Sequence, residues 1–208
     1  MITQEHLVVM FPNQARLPNM EVKFTDVPFS DEEFLAFCEQ NRALRIERTK
    51  EGNIFIMSPT KSNTGNKNSK IIIKLGIWNE RVNYGEIFDS STGFTLPDSS
   101  VRSPDASIIA HARWNQLSEA EKNSFAPICP EFVVELKSGS NSLATLQTKM
   151  QQWIANGVQL GWLIDPDQQK AFIYRNGKPS PETVDGFDQK LSGEAVLQGF
   201  ELDLKVLS

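Results

Sequence analysis

The alternation of apolar and polar positions divides the chain into short strands separated by amphipathic helices, the pattern of an α/β protein. Ser30-Asp31-Glu32-Glu33 has the form of a capping box, and Phe34, Phe37 and Cys38 give the helix it opens an apolar face that fades near Asn41. Leu44–Thr49 and Asn53–Met57 alternate like a hairpin turned at Glu51-Gly52, with Leu44 and Ile46 on one face and Arg45 and Glu47 on the other. A polar loop, Ser58–Lys67, precedes a helix whose Ile71, Ile72, Leu75, Trp78 and Val82 fall at helical spacing. Glu86–Ser91 reads as a strand, Gly93–Ser103 as turn-rich, and Pro104-Asp105 opens the apolar strand Ala106–Ala110. Arg113–Ala126 is a polar helix or loop. A strand over 131–137 follows, set between Pro130 and Gly139. Asn141 or Ser142 caps the next helix, whose stripe Leu143, Leu146, Met150, Trp153 and Ile154 ends at Asn156-Gly157. Leu160–Ile164 and Ala171–Tyr174 are strands about the Asp165–Gln169 turn, and the tail, including Glu201–Leu207, holds one or two more. Before Phe29 the pattern supports only a short strand near Leu7–Met10.

The strand at 131–137 carries the first chemical signal. Side chains alternate along it, so Phe132, Val134 and Leu136 point one way and Val133, Glu135 and Lys137 the other. A carboxylate and an ammonium on an apolar strand are costly to bury unless their charge is used. An acid and a lysine so spaced can hold a divalent metal and steady a phosphate or an attacking water; a cross-strand ion pair is the plainer alternative. The acid-any-Lys triplet occurs four times, at Glu21, Glu135, Asp188 and Asp203, so context has to separate them. Pro-Asp occurs three times, and only Asp105 leads straight into a strand, where a carboxylate is rigidly held. Glu47 suits either the surface of a hairpin or the rim of a site. Lys149 and Gln147 lie off the apolar stripe of their helix, with solvent as the default.

Length and composition narrow the class. At 208 residues, 39% hydrophobic and 23% charged, the chain suits one soluble domain with a real core. No apolar run reaches membrane-spanning length, and the start lacks a basic region followed by an apolar one, so neither an anchor nor a signal peptide is expected. Two cysteines and two histidines make neither a disulfide framework nor a closed zinc site, which fits a reducing cytoplasm. The net charge is −5, yet Arg42–Arg81 holds nine Lys/Arg against three Glu, a local +6 that leaves −11 elsewhere. That asymmetry suits a basic surface facing a polyanion, or a merely solvated hairpin and helix. Lys67, Lys70 and Lys74 are the candidates for phosphate contact, while Trp78 reads as a core anchor.

From Lys67 the order is helix, strand, strand with Asp105, strand with Glu135 and Lys137, helix, strand. In this order, with Ile46-Glu47, Gly52-Asn53-Ile54-Phe55-Ile56-Met57-Ser58-Pro59, Arg102-Ser103-Pro104-Asp105-Ala106, Val134-Glu135-Leu136-Lys137-Ser138, Gln147-Thr148-Lys149-Met150 and Gly157-Val158-Gln159-Leu160-Gly161-Trp162-Leu163-Ile164-Asp165-Pro166, the chain resembles the PD-(D/E)XK nuclease superfamily. More narrowly, it is similar to a bacterial family described as restriction endonucleases, of unassigned biological role. The resemblance runs from about Ser30 to Tyr174. It implies a restriction-endonuclease-like αβββαβ core, a mixed sheet flanked by helices, over about 66–175 of a single domain spanning 1–208. An N-terminal helix and hairpin at 30–58 and C-terminal strands at 190–207 extend it.

The resemblance further implies that Asp105 and Glu135 bind one or two divalent metals, Mg²⁺ with Mn²⁺ as a substitute, together with a backbone carbonyl near Leu136. Lys137 would orient or deprotonate the attacking water. Glu47 would be an additional acid near the metal and Lys149 the lysine of the following helix. Elementary chemistry agrees, since clustered carboxylates repel and a hard cation is their natural partner. The expected function is a metal-dependent endonuclease acting on DNA, compatible with a homodimer and independent of any membrane. A catalytically silent nucleic-acid-binding or assembly module on the same fold is the alternative, and a structural protein whose Glu135 and Lys137 merely pair is the third reading.

Overall fold

Glu135 belongs to a strand in the middle of a six-stranded sheet, and the fold is best followed outward from it. The structure, a computed structural model, describes residues 20–22, 29–57, 59–139 and 141–208. In chain order the elements are β1 (Met20–Val22), α1 (Asp31–Gln40), β2 (Arg45–Arg48), β3 (Ile54–Met57), α2 (Ser62–Val82), β4 (Gly85–Asp89), β5 (Phe94–Thr95), β6 (Val101–Arg102) and β7 (Ala106–Ala110). They continue with α3 (His111–Trp114), α4 (Glu119–Lys122), β8 (Phe132–Leu136), α5 (Leu143–Ala155), β9 (Leu160–Asp165), β10 (Lys170–Arg175), β11 (Glu182–Asp185), β12 (Lys190–Ser192), β13 (Glu201–Asp203) and a closing 3₁₀ turn, Leu204–Leu207.

The large sheet has the order β11-β10-β9-β8-β7-β4. Its neighbours are antiparallel except β8 and β9, which run parallel. Parallel neighbours need a crossover, and α5 supplies it. From α2 to β9 this is the αβββαβ core with a mixed sheet flanked by helices. Alternation on β8 divides the core in two. Phe132, Val134 and Leu136 pack with Ile71, Leu75 and Trp78 of α2 and with Phe200 and Leu202 near the C-terminal hairpin. Val133 packs with Leu146, Met150 and Trp153 of α5. Each large side chain so buried contributes about 1.5–3 kcal/mol. Among the described residues no helix is long and apolar enough to cross a membrane.

A second sheet, ordered β1-β3-β2-β6-β5, packs against α1 through Phe34, Ile46, Ile54 and Val101. The chain passes from it to the large sheet along one extended segment, β6 through Ser103-Pro104-Asp105 into β7. That junction places Glu47 of one sheet beside Glu135 of the other.

Most expected elements form within a residue or two of their expected ends, and the capping box at Ser30 and Glu33 is made from both sides. The structure adds β1, where no strand was expected, and three tail strands, β11–β13, where one or two were expected. Two further differences have physical causes. Helix α2 begins at Ser62, inside the stretch expected to be loop through Lys67, although Lys61 offers no side-chain cap; packing of its later turns carries a stretch of poor helix formers. The segment 93–103 holds the two-residue strands β5 and β6, too short for alternation to reveal. The stretch expected over 113–126 as a polar helix or loop holds two single helical turns, His111–Trp114 and Glu119–Lys122. The strand expected near Leu7–Met10 lies outside the described residues.

Candidate active site

Asp105 stands at the entrance to β7, tied down on three sides. Its N–H donates to Val134 O at 3.0 Å, its carbonyl accepts from Asn68 Nδ2 at 3.0 Å, and its Oδ2 accepts from the Leu136 N–H at 2.8 Å. The last bond lays the carboxylate alongside β8, next to Glu135. Glu135 is buried on the face turned to α5, where its Oε1 accepts from the Trp153 indole N–H at 2.9 Å and lies 2.9 Å from Lys149 Nζ. Glu47, from β2, completes the group. Its Oε1 accepts from Lys149 Nζ at 2.9 Å and from the Ser103 N–H at 3.1 Å, and its Oε2 accepts from Arg102 Nη1 at 3.0 Å. Lys149 donates also to Ser103 O at 2.9 Å, and Arg102 donates to Gln152 Oε1 at 2.8 Å.

Two of the acids, Glu47 and Glu135, therefore share one buried ammonium, Glu47 holds a guanidinium besides, Asp105 has neither in contact, and the charges do not settle evenly. Burial pushes the Glu47 carboxyl up, but Lys149 and Arg102 together outweigh it and hold the group down at about 2. Glu135 is pushed up to about 7, first by burial and then by Asp105 and Glu47, against the pull of Lys149. Burial also raises Asp105, with Glu47 adding to it, against the Leu136 N–H, Lys149 and Arg45. For Lys149 burial acts downward, and Glu135 and Glu47 reverse it, so the ammonium keeps its proton. The strain of like charges falls on Asp105 and Glu135.

The expected site residues divide accordingly. Glu47, Asp105, Glu135 and Lys149 converge, and Leu136 meets them through its N–H. Lys137 shares the face of Glu135, as alternation requires, but its ammonium turns away, to Asp165 Oδ2 at 3.4 Å and Asp167 Oδ2 at 3.6 Å. In this geometry the amine beside the acids comes from α5, not from the strand. Lys67 and Lys70, read as phosphate contacts, reach the Leu207 and Val206 carbonyls instead and fasten the C-terminal turn to α2. Trp78 is a core anchor as expected, with its indole N–H on Gln198 O at 3.1 Å.

Sequence reasoning passed over Trp153, Arg102, Ser103 and Asn68. A signal existed for one of them: a buried indole N–H requires an acceptor, so Trp153 on the core stripe implied a polar partner across from it. For Arg102, Ser103 and Asn68 the partners belong to distant elements and leave no local trace.

The oxygen donors fit a hard divalent cation such as Mg²⁺ or Mn²⁺, and among the described residues no thiol or imidazole takes part. Among the described residues no hydrogen bond reaches Asp105 Oδ1 or Glu135 Oε2, so each acid of the pair keeps one oxygen for a ligand. Beside them Asn68 Oδ1 is buried without a partner. Among the described residues no three His, Cys, Asp or Glu side chains form a ready cage. Two carboxylates completed by water and phosphate oxygens are the usual arrangement for Mg²⁺.

Comparison with known proteins agrees with this architecture. A solved structure, a nuclease of the family DUF820 from Anabaena variabilis named as putative, superposes with a TM-score of 0.71 at 23% identity, covering 86% of this chain and 97% of that one. At that identity the likeness shows the fold. A search of curated proteins finds no match. The profile of the Uma2 family, described as "Putative restriction endonuclease", matches residues 31–205. That span takes in α1, the large sheet, the second sheet apart from β1, and all four converging side chains, and the chain belongs to the Uma2 family.

Proposed function

We propose that the protein is a metal-dependent endonuclease that hydrolyses phosphodiester bonds in DNA. The observation that carries this reading is the meeting of Asp105 and Glu135 on adjacent strands, with Asp105 Oδ2 on the Leu136 N–H at 2.8 Å and one oxygen of each acid left open. DNA is proposed as substrate because the family's description names restriction endonucleases. Cutting both strands would suit a homodimer.

In this reading Asp105 and Glu135 would hold Mg²⁺, with the carbonyl of Leu136 as a neighbouring donor. Bound there, the cation would lower the pKa of a water and neutralise charge developing on the phosphate. The chain's own groups arrange the rest. Trp153 fixes the rotamer of Glu135, and the Leu136 N–H and Asn68 fix Asp105. Glu47, anchored by Arg102 and Ser103, holds Lys149 at the site as the amine that meets phosphate charge. Lys137, tethered by Asp165 and Asp167, lines the rim and reaches the water only by leaving them.

Plasmid DNA incubated with Mg²⁺ or Mn²⁺ tests the proposal. Nicking by the wild type that disappears in Asp105→Ala and Glu135→Ala supports it; equal cleavage by all three proteins refutes it. One observation favours a second reading, a silent DNA-binding module: the Lys149 ammonium already bridges Glu47 and Glu135. That version expects salt-sensitive DNA binding, unaffected by loss of the carboxylates, and no cleavage.

A further inference from the structure

We propose that Lys149 is a built-in counter-ion seated on one of the two carboxyl groups that would hold the divalent cation, so that metal loading displaces it from Glu135. The inference rests on reading Asp105 and Glu135 as the cation-holding pair. Three oxygens surround Lys149 Nζ at 2.9 Å: Glu47 Oε1, Glu135 Oε1 and Ser103 O. Two belong to carboxyl groups, and all are hard donors of the kind Mg²⁺ and Mn²⁺ select. An ammonium has three N–H donors, and each has a partner here, so none remains for a phosphate while the lysine sits this way. Glu135 Oε1 is already shared with the Trp153 N–H. A cation approaching Asp105 and Glu135 therefore meets a positive charge seated on one of its own ligands.

The two ends of the bridge differ, and the difference sets the direction of release. Glu47 keeps Arg102 and the Ser103 N–H when Lys149 leaves, so its charge stays compensated. Among the described residues Glu135 keeps only the indole N–H, and it gains most from an incoming cation. Loading thus exchanges one counter-ion for another at Glu135. The freed ammonium, on its flexible stem, becomes available to a phosphate arriving with the substrate. Lys137 offers no such exchange, because its partners are Asp165 and Asp167.

Calorimetric titration of Mn²⁺ into the full chain, without nucleic acid and at fixed pH and salt, decides the matter. Lys149→Gln is expected to bind Mn²⁺ at least about tenfold more tightly than the wild type, about 1.4 kcal/mol. Lys137→Met removes the same charge from the neighbouring strand end and is expected to change affinity by much less. Equal or weaker binding by Lys149→Gln overturns the inference, as does an equal gain in Lys137→Met, which would mark a general charge effect. Should Lys149→Gln fail to fold, wild-type crystals soaked in Mn²⁺ decide instead. A Lys149 amine displaced from Glu135 supports the exchange; one that keeps its contact beside a bound metal overturns it. Failure here is distinct from failure of the nuclease reading. Mn²⁺ binding that is lost in Asp105→Ala but not improved in Lys149→Gln ends only this inference, whereas no binding by any of the proteins ends both.

Discussion

Replacing Glu47 by Gln tests whether the junction of the two sheets is held by charge. Glu47 is 3% exposed and its carboxyl is held at about 2 against an ordinary 4.5, because Lys149 and Arg102 outweigh the burial that pushes it up. Each pKa unit corresponds to about 1.4 kcal/mol, so the ionised group contributes roughly 3 kcal/mol at neutral pH. The pKa is depressed in the folded state. The contribution is therefore complete above the unfolded value and is lost as pH falls through the folded one, with more than half gone by about pH 3. Gln keeps the shape and two of the hydrogen bonds but none of the charge. Urea unfolding should therefore find Glu47→Gln about 2–4 kcal/mol less stable at pH 7, which for a chain of this size is on the order of 5–15 °C in Tm. The gap should narrow by half or more at pH 3. A difference under about 1 kcal/mol at pH 7, or one that does not change with pH, would show that Glu47 acts by shape alone.

Trp153→Phe keeps the packing but removes a donor from buried Glu135, so its carboxyl should titrate above about 7; carbon-detected NMR of the side chain reads the shift, and an unchanged midpoint refutes the role. Binding of Mn²⁺ near pH 5.5 should release protons, since Glu135, pushed up to about 7, holds one there until the cation takes its place. Calorimetry in two buffers of different ionisation heat would detect it, and identical heats would refute it. Gly85→Ala should unfold the edge of the large sheet, because a Cβ there would stand 2.0 Å from the Ile109 carbonyl oxygen, which is backbone and cannot move aside. Gly161→Ala should cost far less, about 1–2 kcal/mol, since the first atom its Cβ meets is the mobile tip of Met150 at 2.5 Å. Thermal melts that rank the two glycines the other way would contradict this reasoning.

How far the sequence discloses such a site depends on the distance between partners. Alternation over 131–137 gives the correct faces of β8, because a five-residue strand buried on both sides repeats its pattern often enough to be seen. Pro104-Asp105 running into Ala106–Ala110 likewise marks the acid that the sheet holds. Lys149 is different. Its place off the apolar stripe of α5 makes solvent the default, and partners on other elements turn it inward: Glu135 on β8, Ser103 at the junction of the sheets, and Glu47 about a hundred positions away on another sheet. The same holds for Lys137, whose face is legible but whose partner Asp165 comes from the parallel register of β8 and β9.

Charge counted along the chain misleads for a related reason. The segment Arg42–Arg81 carries a local +6, yet Arg48 is buried against the Phe29 and Ser99 carbonyls and Asp31, and Lys67 and Lys70 fasten the C-terminal turn. Three of nine cations thus serve the fold, and any basic face toward DNA has to be built from the remainder. Exposed Arg42, Lys50, Lys61, Lys74 and Arg81 are available for it. Each phosphate contact they make should add about 0.9 to the slope of log affinity against log salt. Replacing Lys61 and Lys74 together by Gln should therefore lower a filter-binding salt slope by up to about 2, whereas Lys67→Gln should leave the slope alone and lower Tm. A Lys67 variant that changed the slope as much as the exposed pair would show that Lys67 leaves Leu207 for DNA, and would restore the reading that the sequence suggested.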